Sequence, residues 1–171
     1  MYRILEYTLL FIVVAALQVF LFDNLHTGFY LNPFIYPAFI LLLPIGIRGT
    51  VLLLLAAGTG LVMDVFMGTA GINTMATTLM AFCRPTVMRL FISSDILDDG
   101  GIPNIARIGS RKFIFYSTTL VLIHSTAFFF LETLAASGLG YTLLKILIST
   151  VSSVIVIYFC QLLFVFRRAK V

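Results

Sequence analysis

Residues 50–66 read TVLLLLAAGTGLVMDVF, an apolar run broken by one ionisable side chain, Asp64, two positions from its end. At 1.5 Å per residue such a run is about the shortest helix that crosses a hydrocarbon core about 30 Å thick. Polar and apolar types do not alternate with period 2, so the expected form is a helix, which pairs its backbone amides internally, and not a barrel strand. The stretch decides the fold because similar runs recur on both sides of it, at about 4–22, 32–47, 72–92, 112–134 and 142–166. The expectation is an all-α membrane protein with six transmembrane helices, forming a single transmembrane domain over residues 1–171.

Composition agrees. The chain is 61% hydrophobic and 11% charged, with a mean hydropathy of +1.11, which no water-soluble domain of this length sustains without aggregating. A net charge of +4 would suggest nucleic acid in a soluble protein. Here the basic residues instead gather in every second gap: Arg3, then Arg48, then Arg89, Arg107, Arg111 and Lys112, then Arg167, Arg168 and Lys170. The gaps 23–31, 67–71 and 135–141 contain neither Lys nor Arg. The positive-inside rule therefore predicts cytoplasmic termini and no nucleic-acid partner. The loop 93–111, with Asp95, Asp98, Asp99 and the turn Gly100-Gly101-Ile102-Pro103-Asn104, is then a cytoplasmic connector or a docking surface. The first run, from Ile4 to Phe22, lacks a small-x-small cleavage site and is expected to stay as a span. The run at 32–47 carries Pro33, Pro37 and Pro44, which predicts a broken or tilted helix. Cys83 and Cys160 lie in apolar surroundings without ligand-like spacing.

Ionisable groups inside spans are functional candidates, since each costs at least about 2.5 kcal/mol near the bilayer centre. Asp64 could cap the next helix, pair with Lys145 or Arg84, reach interfacial water, or hold a ligand or proton. His124 and Glu132, eight residues apart, could line a polar cleft. Alternatively, Glu132 meets Lys145 across a short hairpin while His124 bonds a carbonyl or Ser125. Arg84-Pro85 predicts either a kink, with Arg84 bonding freed carbonyls or pairing with Asp64 or Glu6, or a helix end followed by an interfacial helix. Ala56-Ala57-Gly58-Thr59-Gly60 offers a small-residue surface for close helix packing. No HExxH spacing, nucleophile elbow or metal-ligand cluster accompanies these residues, so no enzyme, metal or cofactor is expected.

Gly60-Leu61-x-x-Asp64-x-Phe66 with Gly71, then Phe82-Cys83-Arg84-Pro85, then the His124 to Glu132 stretch, together resemble the rod-shape-determining MreD family in its Bacteroidetes-like form. The resemblance runs over essentially the whole chain, with a departure at Asn73, where family members tend to carry histidine. It implies a non-enzymatic inner-membrane component of the cell-elongation machinery that binds MreC alongside MreB, RodA and a class B penicillin-binding protein. Asp64, Asn73 and Glu132 would shape its outer rim. The family is also similar in fold to the S-components of energy-coupling-factor vitamin transporters, in which the same residues would hydrogen-bond a solute. A proton path through Asp64, His124 and Glu132 is a third reading.

Overall fold

A computed structural model describes the backbone of residues 2–22, 33–133 and 139–168 and the side chains of residues 7–20, 33–133 and 142–162. The gap 23–31, most of the gap 135–141, and the side chains of Arg3, Glu6, Arg167, Arg168 and Lys170 lie outside that description. The described chain is helical, with no strand. Helix α1 (Tyr2–Ala16) continues as a π-helical turn, Leu17–Phe22; α2 is Pro37–Leu41, α3 Gly49–Met67 and α4 Ile72–Phe91. Short helices α5 (Ser94–Asp99) and α6 (Ile105–Ile108) lead into α7 (Ser110–Thr133) and α8 (Leu139–Arg168). Helix α4 packs between α3 and α7, and α7 between α4 and α8.

Three described segments are long and apolar enough to cross a membrane: Gly49–Met67, Ser110–Thr133 and Thr142–Leu162. Helix α4 matches them in length at 20 residues but carries Asn73, four threonines, Arg84 and Arg89. The apolar part of the first helix, Tyr7–Phe20, is shorter than those three.

The largest departure from the sequence expectation is the second run. Of the run expected at 32–47, the described residues 33–47 do not form a spanning helix; among them only Pro37–Leu41 is helical. Pro37 opens that turn, where its missing N–H is harmless, while Pro44 cannot continue it. Non-helical backbone at membrane depth must be covered by protein, and residues 33–43 are buried throughout. The freed amides find side chains: Ile35 N–H donates to Gln18 Oε1 at 2.7 Å and Phe34 N–H to Ser153 Oγ at 2.7 Å, while Gln18 Nε2 donates to the Pro33 carbonyl at 3.3 Å. Gln18 sits in the π-helical turn, so α1 and α8 together hold the unwound segment.

The loop 93–111 is more than a solvated connector. Ile105 and Ile108 are buried in the core with Leu41, Met88 and Phe113, and Ile45 N–H donates to the Gly101 carbonyl at 2.8 Å. Gly101 has φ of 91° and its missing side chain is replaced by Arg107, whose Nη1 would lie 2.8 Å from a Cβ there. Arg107 also meets Asp99 at 3.6 Å in an exposed pair. The loop therefore closes one end of the bundle.

Candidate functional site

Two polar centres lie inside the bundle, one built on Asp64 and one on Arg84. The first begins with Gly60, one helical turn before Asp64 on the same face of α3. A Cβ at Gly60 would fall 2.7 Å from the Asn73 carbonyl oxygen and 2.7 Å from Thr74 N, and closer still to Thr74 Cα. Only glycine lets α3 approach the start of α4 this nearly, and that approach brings the Asp64 carboxylate to the open first turn. Its Oδ1 accepts from Asn73 N–H at 2.9 Å and Thr69 Oγ1 at 2.5 Å, and its Oδ2 from Thr74 N–H at 2.9 Å and Thr74 Oγ1 at 2.6 Å. The carboxylate is thus a remote N-cap for α4, placed where the helix dipole favours negative charge. Neither Arg84 nor Lys145 pairs with it. Gly60→Ala is expected to destabilise the protein by about 1–3 kcal/mol through this backbone clash. Gly58→Ala, whose Cβ would meet nothing within 4 Å, serves as the control. A thermal melt of both variants in detergent checks the contrast; equal melting points would refute it.

From Asp64 a hydrogen-bonded chain crosses the bundle. Asn73 Nδ2 donates to Thr69 Oγ1 at 2.7 Å, the Tyr36 hydroxyl donates to Asn73 Oδ1 at 2.7 Å, and His124 Nε2 lies 2.5 Å from that hydroxyl. Tyr36 gives its proton to Asn73, so it accepts from His124, which assigns the imidazole proton to Nε2. Every donor then points toward the carboxylate, an arrangement in which each bond polarises the next. His124, Tyr36 and Asn73 are buried, and Phe34 and Phe128 flank the imidazole. The histidine meets Tyr36 and not a backbone carbonyl or Ser125. His124 Nδ1, Ser125 Oγ and Thr150 Oγ1 have no partner among the described groups.

Glu132 stands apart from this chain. It reaches Lys145 at 4.0 Å, with its side chain about half exposed, and Lys145 lies 5.8 Å from the centre of the Phe129 ring. No hydrogen bond or ion pair joins Glu132 to His124 among the described residues, so the two do not form a polar cleft.

No family model, curated protein or solved structure matches the chain.

The second centre corrects the expectations for Arg84-Pro85. Helix α4 neither ends at Arg84 nor gives way to an interfacial helix; it runs through Pro85 to Phe91. Arg84 is almost wholly buried, and its guanidinium faces the end of α2. It donates to the carbonyls of Leu41 at 3.5 Å, Pro44 at 3.4 Å and Leu43 in a short bond, and its Nε donates to the Tyr116 hydroxyl at 3.0 Å. Tyr116 in turn donates to the Leu41 carbonyl at 3.0 Å. These are carbonyls freed where α2 stops, and not those of its own helix. Its described partners include no carboxylate, so the charge is dispersed into backbone dipoles, one of the ways intramembrane cations are accommodated.

Sequence reading singled out Asp64, Asn73, Arg84, Pro85, His124 and Glu132. The structure joins Asp64, Asn73 and His124 in one chain, gives Arg84 its own centre, leaves Pro85 exposed on α4, and puts Glu132 at a helix end. The residues missed were Tyr36, Gln18, Ser153 and Tyr116. Tyr36 could have been suspected from its place between Pro33 and Pro37, where unwound backbone requires polar neighbours. Tyr116 carried no such signal. The bonded set fixes helices relative to one another, with the Asn73 amide in its middle accepting on one side and donating on the other. Among the described residues no three of His, Cys, Asp or Glu gather as metal ligands.

Proposed function

We propose that this chain is a non-enzymatic integral membrane component of the bacterial cell-elongation (rod) complex that binds MreC in the inner membrane and supports peptidoglycan synthesis and cell shape. MreB, RodA and a class B penicillin-binding protein are its wider partners. In this reading the chain crosses the membrane six times with both termini cytoplasmic. The partly unwound segment 33–48, buried over residues 33–43, supplies the second crossing. Helix α4, about 30 Å long at 1.5 Å per residue, supplies the fourth, with Arg84 satisfied internally.

The observation that carries the scaffold reading is that Asp64, Thr69, Asn73, Tyr36 and the Nε2 side of His124 are bonded to one another. Asp64 accepts four hydrogen bonds from Thr69, Asn73 and Thr74, and the Asn73 side chain is engaged at both ends. A solute-binding subunit of a vitamin transporter would need these groups turned toward a pocket. The apolar side chains left exposed on α3 and α4, Leu61, Val65, Met75, Leu79 and Phe82, offer a surface to a partner's membrane helix.

Affinity capture of the tagged protein from its own membranes, with mass spectrometry of proteins and retained small molecules, tests the proposal. MreC and the elongation synthases are expected to co-purify. Recovery of an ATPase-driven transport module with a vitamin-like solute would replace this reading with the transporter one.

A further inference from the structure

A lateral cavity of about 540 Å³ lies between α1, the segment 39–47 and α3. Its walls are apolar, formed chiefly by Phe11, Phe39, Leu43, Leu54, Leu55 and Val62, and its floor on α3 is opened by Gly58. From Leu54 to Val62 α3 rises about 12 Å at 1.5 Å per residue, close to the roughly 15 Å depth of one leaflet's hydrocarbon. The cavity is therefore cut to the reach of an acyl chain.

Charge lies at one end. Ile47 and Pro44 line the cavity, and the residue after Ile47, Arg48, is exposed, with its carbonyl bonded to Leu52 N–H and its guanidinium without a hydrogen-bond or ion-pair partner among the described residues. Arg48 is also the N-cap of α3, and no side chain caps that helix. The first turn, Gly49 to Val51, is exposed and forms the positive end of a 19-residue helix. A free guanidinium and an uncapped helix start, set beside an apolar slot one leaflet deep, match an amphiphile with an anionic head.

We propose that this cavity binds one anionic phospholipid of the surrounding bilayer, with an acyl chain between α1 and α3 and the phosphate at Arg48 and the first turn of α3. The assignment is independent of which protein partners the chain has.

The full-length protein, reconstituted in nanodiscs of 3:1 phosphatidylcholine to phosphatidylglycerol, is released gently and its retained lipids are counted by native mass spectrometry. The wild type is expected to retain phosphatidylglycerol over phosphatidylcholine at a ratio about fivefold above the bulk ratio, the preference that one basic residue at a membrane surface confers on anionic lipid. Arg48→Gln should return the ratio to the bulk value while leaving the fold intact, since Arg48 is exposed. Gly58→Leu, whose Cβ would meet nothing within 4 Å and whose branch fills part of the cavity that Gly58 lines, should lower retention of both lipids. A wild-type ratio equal to bulk, or unchanged selectivity in Arg48→Gln, overturns the proposal whether or not Gly58→Leu folds. A photo-cross-linker at position 58 that captures polypeptide and no lipid in native membranes also overturns it, in favour of a protein occupant.

Discussion

Arg84→Met is expected to leave little folded protein, and Arg84→Ala still less. The guanidinium satisfies the carbonyls of Leu41, Leu43 and Pro44 and orients Tyr116. Each buried acceptor left without a donor costs about 1–3 kcal/mol, and relaxation of the loop keeps the total below the plain sum, at about 3–5 kcal/mol. Methionine keeps much of the length and removes all the donors, so it separates hydrogen bonding from packing. Arg84→Lys should fall between, because an ammonium is a compact point charge and cannot match the planar fork that reaches several carbonyls at once. Arg89→Ala, five residues on and exposed, should behave as wild type. Monodisperse yield and melting temperature in detergent supply the measurement. A wild-type melting point for Arg84→Met would show that the end of α2 does not depend on this side chain, and the account of a buried cation held by carbonyls would fail with it. On the scaffold reading, loss of MreC capture in these variants should follow loss of the fold.

How far the sequence allowed this centre to be read depends on what kind of information each part carries. The helices at 49–67, 110–133 and 139–168 follow from long apolar runs, where lipid leaves a helix as the only economical form; the expected spans 50–66 and 142–166 fall within them, and the expected span 112–134 overruns its helix by one residue. Prolines at 33, 37 and 44 announced a broken helix, yet not that only five residues would remain helical, since the outcome rests on Gln18 and Ser153 reaching in from distant helices. At Arg84, local sequence predicted trouble in its own helix: an arginine before a proline. The structure resolves it elsewhere, because the carbonyls that need a donor belong to a segment some 40 residues earlier. Asp64 was legible as a cap because the next helix starts close by in sequence, whereas the route from it through Tyr36 to His124 joins residues 88 apart, and no local pattern encodes such a meeting. Periodicity reports which face is apolar; it does not report which buried polar groups find each other.

Asp64→Ala is expected to destabilise the protein by about 3 kcal/mol or more, because bonds to a charged acceptor are worth about 1.5–3 kcal/mol each and loss of a helix cap alone costs about 0.5–2 kcal/mol. Asp64→Asn should cost less than alanine yet more than nothing, since one of its two oxygens becomes an NH2 that confronts N–H or hydroxyl donors. Hydrogen exchange locates the damage: the amides of Asn73 and Thr74 should lose protection first, while the middle of α7 holds. The carboxylate is also the acceptor end of the chain through Thr69, Asn73 and Tyr36 to His124, so its removal should weaken bonds it never touches. A double-mutant cycle between Asp64→Ala and His124→Ala reads that transmission, with a coupling of at least about 0.5 kcal/mol expected for members of one network. Strict additivity would confine Asp64 to the first turn of α4 and leave Tyr36 and His124 as a separate polar pair. Coupling would make the cap and the buried histidine parts of one device that locks α3, α4, α7 and the unwound segment in a single arrangement, which is what a membrane scaffold has to present to its partners.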